Sequence, residues 1–455
     1  MKKRLLKNVT TYFVVKNEIF KVKSHRNFCK YPFHADLTIE KVKNLPAPSE
    51  VKAQRDGKSF ILKNDMIECV FLPDNAAALS GIVLKDRYMD QIVKDPATSS
   101  AAFVVSGSVP GLFWGKSFAV KTQKKDGGTE SIFTLQTPVN ARRLSEKVLM
   151  KKDVCGFAVD LIFTKLDDKK AKDDFRWHPE LAVGGSMETG DTVFYPGKNG
   201  TVKVPLRGVG SGQYLPAAGD WTAIIDTNDR LACIASFDHK KSIKPYIWDA
   251  AKFHTVELEC TPFTVRNGES KEYSLQMHFV RGLEGLDAWQ DLTAIFINVP
   301  AKADQKTLQT FDIKAGTAFL TMQKIALEGC LLDNTGRKVR SFAVRKGKMI
   351  YEQPFTAVFK ESFDDLADGE YTIQLKAVCE KGKSFSVKKK IIFAGEDLAC
   401  LRNKYDALVK KVETRKDQTS RKTYELRIAL ESLRRSLALA DTEKALEEIR
   451  KLEKE

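Results

Sequence analysis

From Ser59 to Arg281 apolar and polar residues alternate in short runs such as SFILKND, MIECVFLPD, AAFVVSG, FAVDLIFTKLD, WTAIIDTND and RLACIASFD. Asp-Asn, Gly-Lys-Asn-Gly and Thr-Asn-Asp separate them, and these residues close tight turns. A period of two sends one side of a strand into a core and the other into water. Almost no 3.6-residue period interrupts it here. Strands this numerous and evenly spaced predict a large antiparallel sandwich or barrel. Ahead of Ser59, Phe13–Val22 reads as a strand pair and Val42–Val51, with two prolines, as a linker. Residues 1–58 are therefore read as an extension of the first sandwich.

A second set of strand runs follows a helical-looking Leu286–Ile297 and a break at Val299-Pro300. Its candidates are Thr317–Met322, Lys324–Leu332, Val339–Val344 and Tyr371–Val378. The stretch LADGEYTIQLKAVCEKGKSFSVKKKIIF turns at Asp368-Gly369 and again at Lys381-Gly382. It resembles the last hairpin of an immunoglobulin or fibronectin type III sandwich. From Leu398 the period changes: Leu398, Leu401, Tyr405, Leu408 and Val412 recur in steps of three and four, as do Leu426, Leu430, Leu433 and Leu437. Asp441-Thr442-Glu443 reads as a cap before Leu446, Ile449 and Leu452. The chain is thus expected to be mainly β. A supersandwich over 59–298 precedes a smaller Ig-like sandwich over 299–395. The tail, 396–455, is a helical hairpin or three short helices, packed on the sandwich or offered to a protein partner as a small coiled coil.

Composition narrows the partners. A net charge of +16 raises the question of nucleic acid. The lysines, as at Lys21–Lys30, Lys121–Lys125 and Lys388–Lys390, are scattered and lack regularly spaced aromatics, so nucleic acid is not expected. No run approaches the ~20 apolar residues of a membrane helix. After the basic start MKKRLL the apolar part, Tyr12–Val15, is too short for a signal peptide. The absent signal points to the cytoplasm and the paired sandwiches point outside it. Eight cysteines lie far apart with no CxxC or His/Cys cluster, so free core thiols are expected, with no metal and no cofactor.

Two segments carry the candidate chemistry. FRWHPELAVGGSMETGDTVFYP, from Phe175 to Pro196, sets His178 and Glu180 either side of Pro179. VELECTPFTVRNGES, from Val256 to Ser270, sets Glu257 and Glu259 on one face of an apolar strand. A histidine and a carboxylate from distant strands are the minimum set for moving protons on a sugar hydroxyl and ring oxygen. MIECVFLPDNAAALSGIVLKD, FRWHPEL, WTAIIDTNDRLACIASF and VELECTPFTVRNGES, in that order, resemble the galactose mutarotase-like superfamily over about Ser59 to Leu283. That superfamily comprises the aldose 1-epimerases and their carbohydrate-binding relatives. The resemblance implies a β-supersandwich in which His178 protonates the ring oxygen and a strand glutamate takes the anomeric proton. Motif order puts Glu259 first as that base and Glu257 second.

The chain departs from active epimerases twice. Ala76-Ala77-Ala78 stands where they commonly carry an arginine, and PGLFWGKSF, with Trp114 and Lys116, where they carry a second histidine. Each missing polar partner removes about 2–4 kcal/mol of transition-state stabilisation, so turnover is less expected than binding. Flat aromatic rings suit the apolar faces of sugars. Trp221 reads as core, whereas Trp114 and Trp248 stand beside turn-formers and read as cleft. The candidate sugar contacts are Trp114, Lys116, Glu180, Asp220 and Trp248. Gly208–Gly212 lacks the strand-to-helix context of a phosphate loop, and GxGxxG, GxSxG and HExxH are absent. A mono- or oligosaccharide-binding protein, non-catalytic or with altered sugar specificity, is the leading expectation. An aldose 1-epimerase-like isomerase using the His/Glu pair is the alternative, and a structural or adhesion protein the third.

Overall fold

The computed structural model describes residues 9–15, 18–26, 35–86, 89–92, 103–105, 112–169, 173–185, 191–241, 243–250, 254–305, 308, 310–380, 384–415, 417, 420–438 and 442–453. The alternation works as expected. In Ile67–Leu72, Ile67, Cys69 and Phe71 are buried while Glu68, Val70 and Leu72 stay half-buried.

Three sheets share the main core. Lys52–Asp56, Ser59–Lys63, Ile67–Leu72, Ala78–Leu84 and Met89–Asp90 form a five-stranded meander, so pairing begins ahead of Ser59. A nine-stranded antiparallel sheet, the long sheet, has four consecutive strands at one end, Phe118–Lys125, Gly128–Leu135, Arg142–Lys151 and Gly156–Lys165. It continues through Ser270–Arg281, Leu231–Phe237, Trp221–Asp226, Asp191–Gly197 and Gly200–Pro205. The site sheet runs in the order Ser211–Tyr214, Ile243–Asp249, His254–Phe263, Asp173–His178 and Phe103–Val105, with Glu180–Leu181 added against His254–Phe263. Aromatic rings dock it on the long sheet. Phe175 stacks on Phe163 with centroids 5.9 Å apart, and Tyr273 meets Phe175 edge-on at 5.2 Å. Phe263 meets Phe163 edge-on at 5.4 Å and Phe175 at 5.8 Å. Val9–Val15, Glu18–Arg26 and Ala35–Val42 form a separate three-stranded sheet.

The helical-looking Leu286–Ile297 is a correction. It forms two strands, Ala288–Gln290 and Thr293–Asn298, folded on each other by Asp291 and Leu292, whose φ angles are 47° and 62°. Two left-handed residues make the tight turn that suits a twisted hairpin. Apolar residues three apart imitated a helix where a two-residue turn resets the phase. This hairpin joins Thr310–Thr317 and Phe355–Lys360 in one sheet. Gln323–Leu332, Lys338–Ser341, Arg345–Met349, Gly369–Cys379 and Phe385–Phe393 form the facing sheet. Phe311, Phe342, Phe359, Phe363 and Phe393 fill the core between them. A smaller core of Val154, Trp221, Ile234, Val280, Leu286 and Ala294 bridges this unit to the long sheet.

The tail is three helices, α1 (Gly395–Glu413), α2 (Arg421–Ala438) and α3 (Thr442–Glu453). Leu401, Leu408, Leu426, Leu433 and Ile449 close a core of their own. Arg402 of α1 pairs with Asp304 at 2.8 Å. Just before it, Lys302–Ala303 lies parallel to Ile392–Phe393. Among the described residues no helix is long and apolar enough to cross a membrane. Cys69, Cys155, Cys233 and Cys260 are free and buried, as expected of core thiols, whereas the free Cys330 and Cys379 are half-buried and Cys400 is exposed; Cys29 lies outside the described residues.

One residue on Arg142–Lys151 breaks the alternation chemically. Glu146 points inward, 4 % exposed, and its Oε1 has no hydrogen-bond partner among the described residues. Burial pushes its carboxyl from an ordinary 4.5 up to about 8. Between those values the folded chain holds a proton that the unfolded chain has lost, so stability falls as pH rises through that window. Glu146→Gln should flatten the fall by about one proton, roughly 1.4 kcal/mol per pH unit. Urea midpoints between pH 5 and 8 test this; an unchanged slope would mean that the folded carboxyl is already ionised.

Candidate functional site

Alternation on the His254–Phe263 strand buries Val256, Leu258 and Cys260 in the main core. Thr255, Glu257 and Glu259 therefore share the opposite face. The neighbouring strand is in register with Arg176 against Glu259 and Trp177 against Leu258. Phe175 and Trp177 enter the core, so Arg176 and His178 stand on the face with the glutamates. Pro179, which has no N–H to donate, interrupts the ladder before Glu180 re-pairs with Thr255.

These four side chains form a closed quartet. His178 Nδ1 lies 3.1 Å from Glu257 Oε1, and its Nε2 lies 3.4 Å from Glu180 Oε1. Arg176 Nη1 donates to Glu257 Oε2 at 2.7 Å. Thr255 Oγ1 donates to Glu257 Oε1 at 3.0 Å and accepts from the Trp248 backbone N–H at 3.2 Å. Two carboxylates thus face two cations. Burial alone would lower the His178 pKa, but its bonds to Glu180 and Glu257 outweigh burial and raise it to about 9. For Glu257, burial pulls upward and His178, Arg176 and Thr255 prevail, holding the carboxyl below its usual value. At neutral pH the imidazole is protonated on both nitrogens and carries one positive charge, and Glu257 is an anion.

Beside the quartet the same face is aromatic. Tyr246 lies opposite Glu257, and Trp248 opposite Thr255. The edge strand Ser211–Tyr214 sets Gly212 against Trp248 and Tyr214 against Tyr246. Tyr214 and Tyr246 meet edge-on at 5.1 Å, and the Tyr214 hydroxyl donates to Glu259 Oε2 at 2.7 Å. Burial and the nearby Glu257 raise the Tyr246 pKa, so its hydroxyl stays protonated. A Cβ on Gly212 would stand 1.9 Å from the Tyr246 hydroxyl and 2.6 Å from the Trp248 ring. Glycine at this position lets both rings lie across the strand.

The structure brings His178, Glu180 and Glu257 together, with Trp248 on the same face. Glu259 stands one step further along, half-buried and tied to Tyr214 rather than to His178. Trp114 is half-buried against the main core, and Lys116 is exposed in the same loop. That loop packs on the Ala76 turn, whose N–H donates to the Lys116 carbonyl at 2.8 Å. Ala76 and Ala77 are buried at φ angles of 58° and 50°, a place where an arginine would bury its charge. Asp220 lies elsewhere, largely exposed, paired with His239 on the outer side of the long sheet. Arg176, Tyr214 and Tyr246 were not singled out from the sequence. Period-two spacing offered the signal for two of them, since Arg176 stands two residues before His178 and Tyr246 two before Trp248. The glycine-rich Gly208–Gly212 serves the same sheet: Arg207 and Gly208 N–H groups cap the Asp249 carboxylate at 2.8 Å each.

No family model matches the chain, and neither does any curated protein. Among solved structures, the Slr1438 protein from Synechocystis sp. PCC 6803 is similar over 53% of this chain and 100% of its own, at 11% identity and a TM-score of 0.40. A galactose mutarotase-like protein from Lactobacillus casei ATCC 334 is similar over 49% of this chain and 99% of its own, at 14% identity and a TM-score of 0.38. Another from Clostridium acetobutylicum covers 53% of this chain and 100% of its own, at 10% identity and a TM-score of 0.39. Likeness at this level does not reach the side chains of the site.

The quartet has a titration that can be read directly. The stabilisation that His178 contributes is fully present below its ordinary 6.5 and is lost as pH rises through about 9. Imidazole NMR resonances of His178 should titrate near 9, and Glu257→Gln should lower that midpoint by about one unit or more. Titration of wild-type His178 near 6.5 would mean that the two carboxylates do not hold its proton.

Proposed function

We propose that this chain is a carbohydrate-binding protein whose site is the outer face of the site sheet. The observation that carries the reading is the row Tyr214, Tyr246 and Trp248 beside a charge-balanced quartet on one face. Rings of this kind cover the apolar side of a pyranose, while charged groups in fixed positions take its hydroxyls. The quartet's internal neutrality suits an uncharged ligand. The Gly369–Phe393 hairpin supports reading the second unit as immunoglobulin-like, a fold that assigns it no activity.

Binding rather than turnover fits the quartet better. A general base must be free to take a proton, and an acid must stand apart from it across the substrate. Glu257 already has His178 at 3.1 Å and Arg176 at 2.7 Å, which lowers its basicity and leaves no gap for a sugar between acid and base. An aldose 1-epimerase-like reaction is the second reading, favoured by one observation: His178 is protonated at neutral pH and Glu259 lies free of the quartet on the same face. In that reading Glu259 would be the base.

Calorimetry against neutral mono- and oligosaccharides tests the first reading. Trp248→Ala should weaken binding by about 1–3 kcal/mol, the usual cost of truncating an anchoring aromatic, with the fold retained. Unfolding of this variant without a separable loss of affinity would make Trp248 a core residue. Polarimetry separates the second reading: glucose and galactose should change anomer no faster than in buffer. Acceleration that falls about 100-fold in Glu259→Gln would establish the enzyme instead.

A further inference from the structure

A groove of about 690 Å³ lies on the outer face of the long sheet, and none of the roles above uses it. Its floor comes from strands in the middle of that sheet, and its far wall is Trp289 with the Asp291-Leu292 turn. On Ser270–Arg281, Tyr273, Leu275, Met277 and Phe279 face the main core. Ser274, Gln276 and His278 therefore face the groove.

His278 is the unusual member. It is 5 % exposed, yet its Nδ1 is buried with no hydrogen-bond partner among the described residues. A buried polar atom left in that state is destabilising unless something in the groove supplies the bond. The position is specifically made. A Cβ on Gly156, which pairs with His278, would stand 2.5 Å from His278 Cδ2, so the missing side chain leaves room for the imidazole. Trp289 packs against that imidazole with ring centroids 5.5 Å apart, and its Nε1 donates to Ser236 Oγ at 2.8 Å. The indole is thereby held in place where it lines the groove.

We propose that this groove is a second binding site, for a neutral oligosaccharide, on the side of the sandwich away from the quartet. The indole offers a flat apolar surface for a sugar ring. Burial, with Lys151 nearby, lowers the His278 pKa to about 3, so the imidazole is neutral, with one donor and one acceptor nitrogen. A hydroxyl, which both donates and accepts, matches it, as does the exposed Gln276 amide. Asp220, Asp238 and Asp291 outnumber Lys151 along the lining, which disfavours an anionic ligand. The volume falls within the range of small-ligand sites. The proposal shares a ligand class with the first site and no residue with it.

The test uses the full chain carrying Trp248→Ala and Tyr214→Ala, so that the site-sheet face is disabled. It is titrated with four hexasaccharides: β-1,4-glucan, β-1,4-xylan, β-1,4-mannan and α-1,4-glucan. Calorimetry and tryptophan fluorescence should show binding of at least one. Adding Gln276→Ala, at an exposed position that leaves the core intact, should weaken it about tenfold or more. Trp289→Phe, which keeps a ring against the bridging core, should also weaken it. Wild-type binding that disappears in the double variant overturns the groove and leaves the first site standing. Equal binding in wild type and double variant, lost with Gln276→Ala, supports the groove and removes the first site. Absence of binding by all four at millimolar concentration, or binding indifferent to both groove changes, overturns the proposal.

Discussion

Phe175 is the residue on which the site depends. Its ring is held among Phe163, Phe263 and Tyr273, between the site sheet and the long sheet. Each such contact is worth about 0.5–1.5 kcal/mol beyond area burial. Their larger effect is on register. With Phe175 turned inward, a period of two leaves Arg176 and His178 no choice but the outer face. The same rule, applied from Leu258, puts Glu257 beside them. A slip of one residue in the Asp173–His178 strand would drive both Arg176 and His178 into an apolar core and away from Glu257. The aromatic clasp and the charged quartet are two sides of one alternation.

Much of this was legible in the sequence because strands advertise themselves by period. The large β region, the later set of strands and the helical tail are all visible as changes of period, and the structure is mainly β with antiparallel sheets and three terminal helices. The segments FRWHPEL and VELEC also stood out, and both lie on the site sheet. What period cannot supply is register between strands far apart in the chain. Motif order put Glu259 ahead of Glu257, yet the pairing of Trp177 with Leu258 is what sets Glu257 against His178. Asp220, read as a candidate sugar contact, immediately precedes the strand Trp221–Asp226. That strand belongs to the long sheet. Leu286–Ile297 misled for a related reason, since a two-residue turn leaves little trace in an apolar pattern.

Buried charge is handled in two ways in this chain. In the quartet, Glu257 has both His178 and Arg176 within reach, and its ionisation persists at neutral pH. Glu146 has no such company, and burial raises its carboxyl toward the neutral form. Desolvation is comparable for the two kinds of site; partners decide which protonation state survives.

The pairing of Lys302–Ala303 with Ile392–Phe393 bears on mechanics. The two stretches run parallel, one just after Thr293–Asn298 has joined the second β unit and the other where the chain leaves for α1. Ile392 N–H donates to the Ala301 carbonyl at 2.8 Å, and Ala394 N–H to that of Ala303 at 3.0 Å. Arg402 adds its bond to Asp304 on the far side. A pull between Asn298 and the helices draws the two stretches past each other along their length. The bonds are then loaded together in shear instead of being unzipped in turn. The junction is a clamp that ties the two ends of residues 302–393 together against tension arriving through α1.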